Sequence, residues 1–100
     1  MSKKAVVETT LNESESRYEA FVGGELAGFA EFEVDDERII FTHTEVNDAF
    51  EGQGVGGQLA RAALDDVRAA GKYRVVPRCP FIKKWIEKHP DYQDLVRGHR

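Results

Sequence analysis

The sequence holds one cysteine, Cys79, in 100 residues, so no internal disulfide can form. Its three histidines are scattered without the ligand spacing that zinc requires, and no metal is needed to explain the chain. No apolar stretch approaches the roughly 20 residues that cross a bilayer, which predicts no membrane partner. The start, Met1-Ser2-Lys3-Lys4-Ala5-Val6-Val7-Glu8, carries basic residues without a hydrophobic signal core, so a cytoplasmic location is expected. A surplus of positive charge is also missing. With a formal net charge of -4, nothing drives binding to a polyanion, and nucleic acid is not an expected partner. Repeats, low-complexity segments and linkers are absent as well.

What is present fits one domain over residues 1–100, since 41% hydrophobic residues in this length leave no room for a second core. The first half reads as short strands between turn clusters. Val6 to Leu11 opens the series, Asn12 to Ser16 makes a polar turn, and Arg17 to Val22 alternates. Gly23-Gly24 suits a tight hairpin and leads into Leu26 to Val34, where Leu26, Gly28, Ala30, Phe32 and Val34 share a face. After Asp35-Asp36-Glu37, the run from Arg38 to Val46 places Ile39, Phe41, His43 and Glu45 on one side. Together these predict a four-stranded antiparallel meander.

Beyond Val46 the period changes. Asn47 to Glu51 reads as a loop, and Leu59, Ala60, Ala63, Leu64 and Val67 then recur at helical spacing up to Gly71. Tyr73 to Val76 is a short strand halted by Pro77, and the intervening helix predicts parallel pairing through a right-handed crossover. A second helix is expected from Pro80 to Lys88, with Phe81, Ile82, Trp85 and Ile86 as its apolar stripe. Tyr92, Leu95 and Val96 are expected to fold back over the sheet.

The segment Glu51-Gly52-Gln53-Gly54-Val55-Gly56-Gly57 joins the last meander strand to the first helix. Closely spaced glycines let a backbone approach a ligand, and the free amides of Gln53 to Gly57 at a helix start suit a phosphate or pyrophosphate. A tight helix start alone would also use glycine, although four glycines in six positions exceed what capping requires. Gly52, Gly54 and Gly57 match a dinucleotide spacing too, but that fold needs a parallel sheet, and the following strand ends Val76-Pro77-Arg78 rather than on an acidic residue. A Walker loop fails for want of Gly-Lys-Ser or Gly-Lys-Thr. Cys79 opens the second helix, where the dipole favours a thiolate; it is either a reactive thiol or a small packed residue. His43 and Glu45, two apart on one strand, are either general bases near a cleft or hydrogen-bonded surface groups.

Strand, loop and x-x-Gly-x-Gly opening a helix resemble the acetyl-CoA binding motif of the GNAT N-acetyltransferase superfamily, with Glu51, Gln53, Gly54, Val55 and Gly56 in the motif positions. His43-Thr44-Glu45-Val46, Gly52-Gln53-Gly54, Val76-Pro77-Arg78-Cys79-Pro80-Phe81 and His89-Pro90-Asp91-Tyr92 are similar to small stand-alone GNAT-like proteins of about this length. The resemblance implies an α/β (α+β) mixed sheet: the antiparallel meander followed by one parallel strand, with two helices, and a cleft where the strands ending at Val46 and Val76 splay. It implies acetyl-CoA or a related acyl-CoA as cofactor, with Val46 along the pantetheine arm and Gln53, Gly54, Val55, Gly56 and Gly57 on the pyrophosphate. Cys79, Glu45 and His43 are the implied catalytic residues for acyl transfer to an amine of unknown identity. Two positions depart from the pattern. Glu51 stands where Arg or Gln is usual, and Trp85 lies on the helix where many members carry a proton-donating tyrosine. Both favour the alternative of a non-catalytic acyl-CoA binding or protein-interaction module.

Overall fold

The computed structural model describes residues 6–97, in which β1 (Glu8–Asn12), β2 (Arg17–Val22), β3 (Glu25–Asp35) and β4 (Arg38–Val46) form the expected antiparallel meander. Val22 pairs with Glu25 across the two-residue turn Gly23-Gly24, whose φ angles of 59° and 83° match the right-handed twist of the flanking strands. Asp35 likewise pairs with Arg38 across a tight turn. After α1 (Val55–Ala70), β5 (Arg74–Pro77) pairs in parallel with β4, giving the sheet order β1-β2-β3-β4-β5. Pro77 does not stop this ladder but is its last member, opposite Phe41. A proline is tolerated there because a terminal strand residue need not donate to the sheet. β1 starts two residues later than expected, at Glu8, with Val7 packed against the core ahead of it.

Two helices follow β5 rather than one. α2 (Pro80–Glu87) is the expected helix, and a short α3 (Gln93–Arg97) comes after a 3-10 turn at Pro90–Tyr92. α1 packs on β2 and β3, α2 on β4 and α1, and α3 on β5. All three lie on the same face of the sheet, tied side to side by Arg68 of α1 bonding Asp94 of α3 at 2.9 Å. Tyr92 adds a second tie, donating to Asp65 at 2.7 Å. The core between helices and sheet is filled by Phe41, Leu59, Leu64, Ile82, Leu95 and Val75. Trp85 joins it, whereas Phe81 is 41% exposed, contrary to the apolar stripe expected of α2.

Two bulges change which residues share a face. Between β2 and β3 the register steps from Ala20–Gly28 to Phe21–Leu26, so Ala27 is the extra residue and Leu26 leaves the face of Gly28, Ala30 and Phe32. Between β3 and β4 it steps from Phe32–Phe41 to Glu31–His43, making Thr42 the extra residue. Ile39 and Phe41 therefore point into the core, while His43 and Glu45 emerge on the opposite, helix-free face and Thr44 takes the helix side. Strict alternation had put all four of Ile39, Phe41, His43 and Glu45 together.

Candidate functional site

The loop after β4 is more ordered than its composition suggests. Asn47 accepts from the Ala49 amide at 3.0 Å and caps a 3-10 turn over Asp48–Phe50, and the Phe50 carbonyl then accepts from the Gln53 amide at 3.3 Å. Gln53 is thus not among the free donors. Gly54 is the N-cap of α1 with φ of 77°, a conformation that costs a side-chain-bearing residue about 1–2 kcal/mol. Having no side chain, it caps nothing. The first amide engaged within the helix is that of Gln58, bonded to the Gly54 carbonyl at 3.1 Å, which leaves Gly54, Val55, Gly56 and Gly57, among the described residues, as the four unpaired donors of the helix start.

Gly56 brings a neighbouring ring close to this turn. A Cβ on Gly56 would stand 2.9 Å from Cζ of Phe81, so the half-exposed ring of α2 lies directly on the first turn of α1. Beside the turn, a recess of about 200 Å³ is lined by Gly54, Gly57, Gln58, Arg61, Trp85 and His89. The Arg61 guanidinium sits 5.4 Å above the Trp85 ring and donates to the Tyr92 hydroxyl at 3.2 Å. His89 stacks on the other part of this cluster, 3.7 Å from the Trp85 centroid. Its Nδ1 lies 2.6 Å from the Trp85 carbonyl, which can only accept, so Nδ1 carries the proton and Nε2 the lone pair. Arg61 and His89 were not recognised from the sequence. Their signal was helical spacing, one turn beyond Gly57 and one turn beyond Trp85.

β4 runs on past the end of β5. Their pairing ends at Phe41–Pro77, and Thr42 to Val46 continue without a strand partner on that edge. The chain after β5 stays close for two more residues, with the Cys79 amide donating to the Phe41 carbonyl at 2.9 Å. Cys79 is the N-cap of α2, 2% exposed, and its thiol donates to the Thr44 hydroxyl at 3.2 Å and accepts no helix amide. On the other side of the same stretch, His43 Nε2 lies 2.9 Å from Glu45 Oε2, both side chains more than half exposed. The structure therefore pairs His43 with Glu45 and Cys79 with Thr44, but on opposite faces of β4. Val46 pairs with Gly28 and packs on the core, with its backbone at the head of the glycine turn. Glu51 is exposed at that turn. No hydroxyl of α2 reaches the cleft, and the Tyr92 hydroxyl is committed to Asp65, whose carboxylate pushes the phenol pKa up.

A family profile described as GCN5-related N-acetyl-transferase matches residues 17–95. The chain belongs to this family. Among curated relatives, Protein NATD1 from Bos taurus is 39% identical over 67 residues, covering 66% of this chain and 58% of its own length. Protein NATD1 from Homo sapiens is 37% identical over the same coverage of 66% and 58%. The chain thus spans less than two thirds of the curated relatives it matches. Of solved structures, an acetyltransferase of the GNAT family from Streptococcus pneumoniae superposes with a TM-score of 0.58 at 18% identity, over 75% of this chain and 52% of that one. The GNAT fold seen here is therefore the meander, crossover helix and parallel strand. Among the described residues, no helix is long and apolar enough to cross a membrane, and no His, Cys, Asp and Glu side chains gather as a metal site.

Proposed function

We propose that this chain binds acetyl-CoA or a related acyl-CoA in the β4–β5 cleft and transfers the acyl group to an amine, acting in the cytoplasm. The observation that carries the reading is the set of four unpaired amides at Gly54 to Gly57, placed at the mouth of the unpartnered stretch of β4. These amides and the helix dipole would hold the pyrophosphate, and the backbone around Val46 would run beside the pantetheine arm. Gln53 would contribute to the turn's shape, since its amide is already engaged. A bound thioester supplies an activated acyl carbon; the chain supplies position and proton management.

With Nε2–H donated to Glu45, His43 presents Nδ1 as the lone pair that takes a proton from the incoming ammonium. The amine nitrogen then attacks the acyl carbon, the carbon–sulfur bond breaks, and the departing thiolate collects a proton while the nitrogen sheds its second one to water. Cys79 would stand on the helix side of the acyl group, either as donor of that proton or as a transient acyl carrier. Acetyl-CoA at about a hundred times its dissociation constant should stabilise the protein by roughly 2.7 kcal/mol, a rise of several degrees in Tm, while NAD and ATP should not. No shift with any acyl-CoA removes the reading. Release of free thiol with a panel of amines, compared in Cys79→Ala, His43→Gln and Glu45→Gln, then tests the assigned roles.

A second reading is an acyl-CoA binding or protein-interaction module without turnover. It is favoured by the burial of Cys79 behind Thr44 and by the carboxylate of Glu51 at the turn. A Tm shift with no thiol release in any amine would establish it.

A further inference from the structure

A recess remote from the cleft lies between the sheet and the C-terminal turns of α1. It has a volume of about 360 Å³, within the range of roughly 300–1,000 Å³ typical of small-molecule sites. Asp66 and Val67 line it, 11 residues beyond Val55, which places it about 17 Å along α1 from the glycine turn. None of its lining residues belongs to the proposed acyl-CoA site.

Its walls are apolar and its rim is not. Phe32, Ile39 and Val67 form the inner surface, while Leu11 and Val34, 39% and 48% exposed, extend the apolar wall to the mouth. Two carboxylates, Asp66 and Glu13, stand against one cation, Lys72. Tyr18 bridges wall and rim: its ring is buried against Phe32, and its hydroxyl donates to Asp66 Oδ2 at 2.7 Å. Burial and the Asp66 carboxylate both push the Tyr18 phenol up, so it stays a donor. Among the described residues, Oδ1 of Asp66 has no protein donor. An aromatic and aliphatic wall closed by an anchored carboxylate with a vacant oxygen matches a cation on an apolar body.

We propose that this cavity is a binding site for a small primary amine carried on an aromatic or short aliphatic body. The apolar part would lie against Phe32, Ile39 and Val67, and the ammonium would donate to Asp66 beside Glu13. Such an occupant braces the last turns of α1 against β2, β3 and β4 without touching the glycine turn. The site stands independently of the acyl-CoA reading, and each can fail alone.

Three probes of matched shape test it on the full chain by backbone amide NMR: phenethylamine, phenethyl alcohol and hydrocinnamate. Phenethylamine should give saturable shifts confined to residues around Tyr18, Phe32 and Asp66, with affinity about tenfold or more above the alcohol, and hydrocinnamate should give none. Asp66→Asn should lower the amine's affinity by about the same factor while leaving the alcohol's unchanged. Ala70→Phe, at an exposed helix position on the cavity's lip, should block the amine and the alcohol without unfolding the chain. Equal binding of all three probes, preference for hydrocinnamate, shifts centred on Gly54 to Gly57, or no saturable shift at all would each overturn the proposal.

Discussion

The Cys79 thiol donates to the Thr44 hydroxyl across 3.2 Å, joining the N-cap of α2 to the stretch of β4 that β5 leaves uncovered. This contact seals the helix side of the cleft, so the chain's one cysteine is a guarded group. In the native protein Cys79 should react with a disulfide reagent far more slowly than in denaturant. Thr44→Val should speed that reaction without changing the far-UV spectrum, and saturating acetyl-CoA should alter the rate. Equal rates in native and denatured protein would show that the thiol is open.

Glycine at 54 and at 56 answers to different demands, and alanine should separate them. Gly54→Ala places a side chain at φ of 77° and should cost about 1–2 kcal/mol in a denaturant melt. Gly56→Ala meets only the far edge of the Phe81 ring, which is free to swing outward, and it gains about 1 kcal/mol of helix propensity. Stability should hold, yet the thermal shift with acetyl-CoA should fall because a methyl group enters the amide cradle. A full shift in Gly56→Ala would locate the pyrophosphate elsewhere.

Leu95, 2% exposed in α3, anchors the C-terminal turn to the core beside β5. Leu95→Ala should destabilise the protein by about 2–4 kcal/mol, read as a lower denaturant midpoint. A change below the error of the melt would mean that α3 does not pack as described.

Alkaline pH should act through Tyr18. Because burial and Asp66 raise its phenol pKa, the folded protein holds this proton more tightly than the unfolded chain. The resulting stability is complete below about pH 10, the ordinary tyrosine value, and is lost progressively as pH rises above it. Tyr18→Phe should flatten the decline in Tm above that point, while Tyr92, raised by its bond to Asp65, keeps part of it. Identical alkaline profiles in both proteins would contradict this linkage.

Much of this was legible because period and punctuation agree. The alternation of Arg17 to Val22 and Arg38 to Phe41, the glycine pair at the hairpin and Gly71 at the end of α1 each specify local geometry directly. The bulges at Ala27 and Thr42 were not legible. Neither residue carries a signal of its own, and the register shift shows only in how β3 pairs with its two neighbours. α3 was missed for a related reason: five residues are too few for helical periodicity, and Leu95 is helical because it docks beside β5. At the candidate site, the glycines marked the turn that opens α1, but that Phe50 already occupies the Gln53 amide depends on the 3-10 turn capped by Asn47.

Thr42 has a last consequence, for what lengths of chain this strand will accept. Every residue from His43 to Val46 keeps its orientation only because one surplus position precedes it. Deleting Thr42 would remove no core side chain, yet it would drive the His43 and Glu45 charges under α1 and turn Thr44 and Val46 out to water. Substitutions here are a matter of chemistry; a one-residue deletion is a change of phase, and the cleft should be far less forgiving of it.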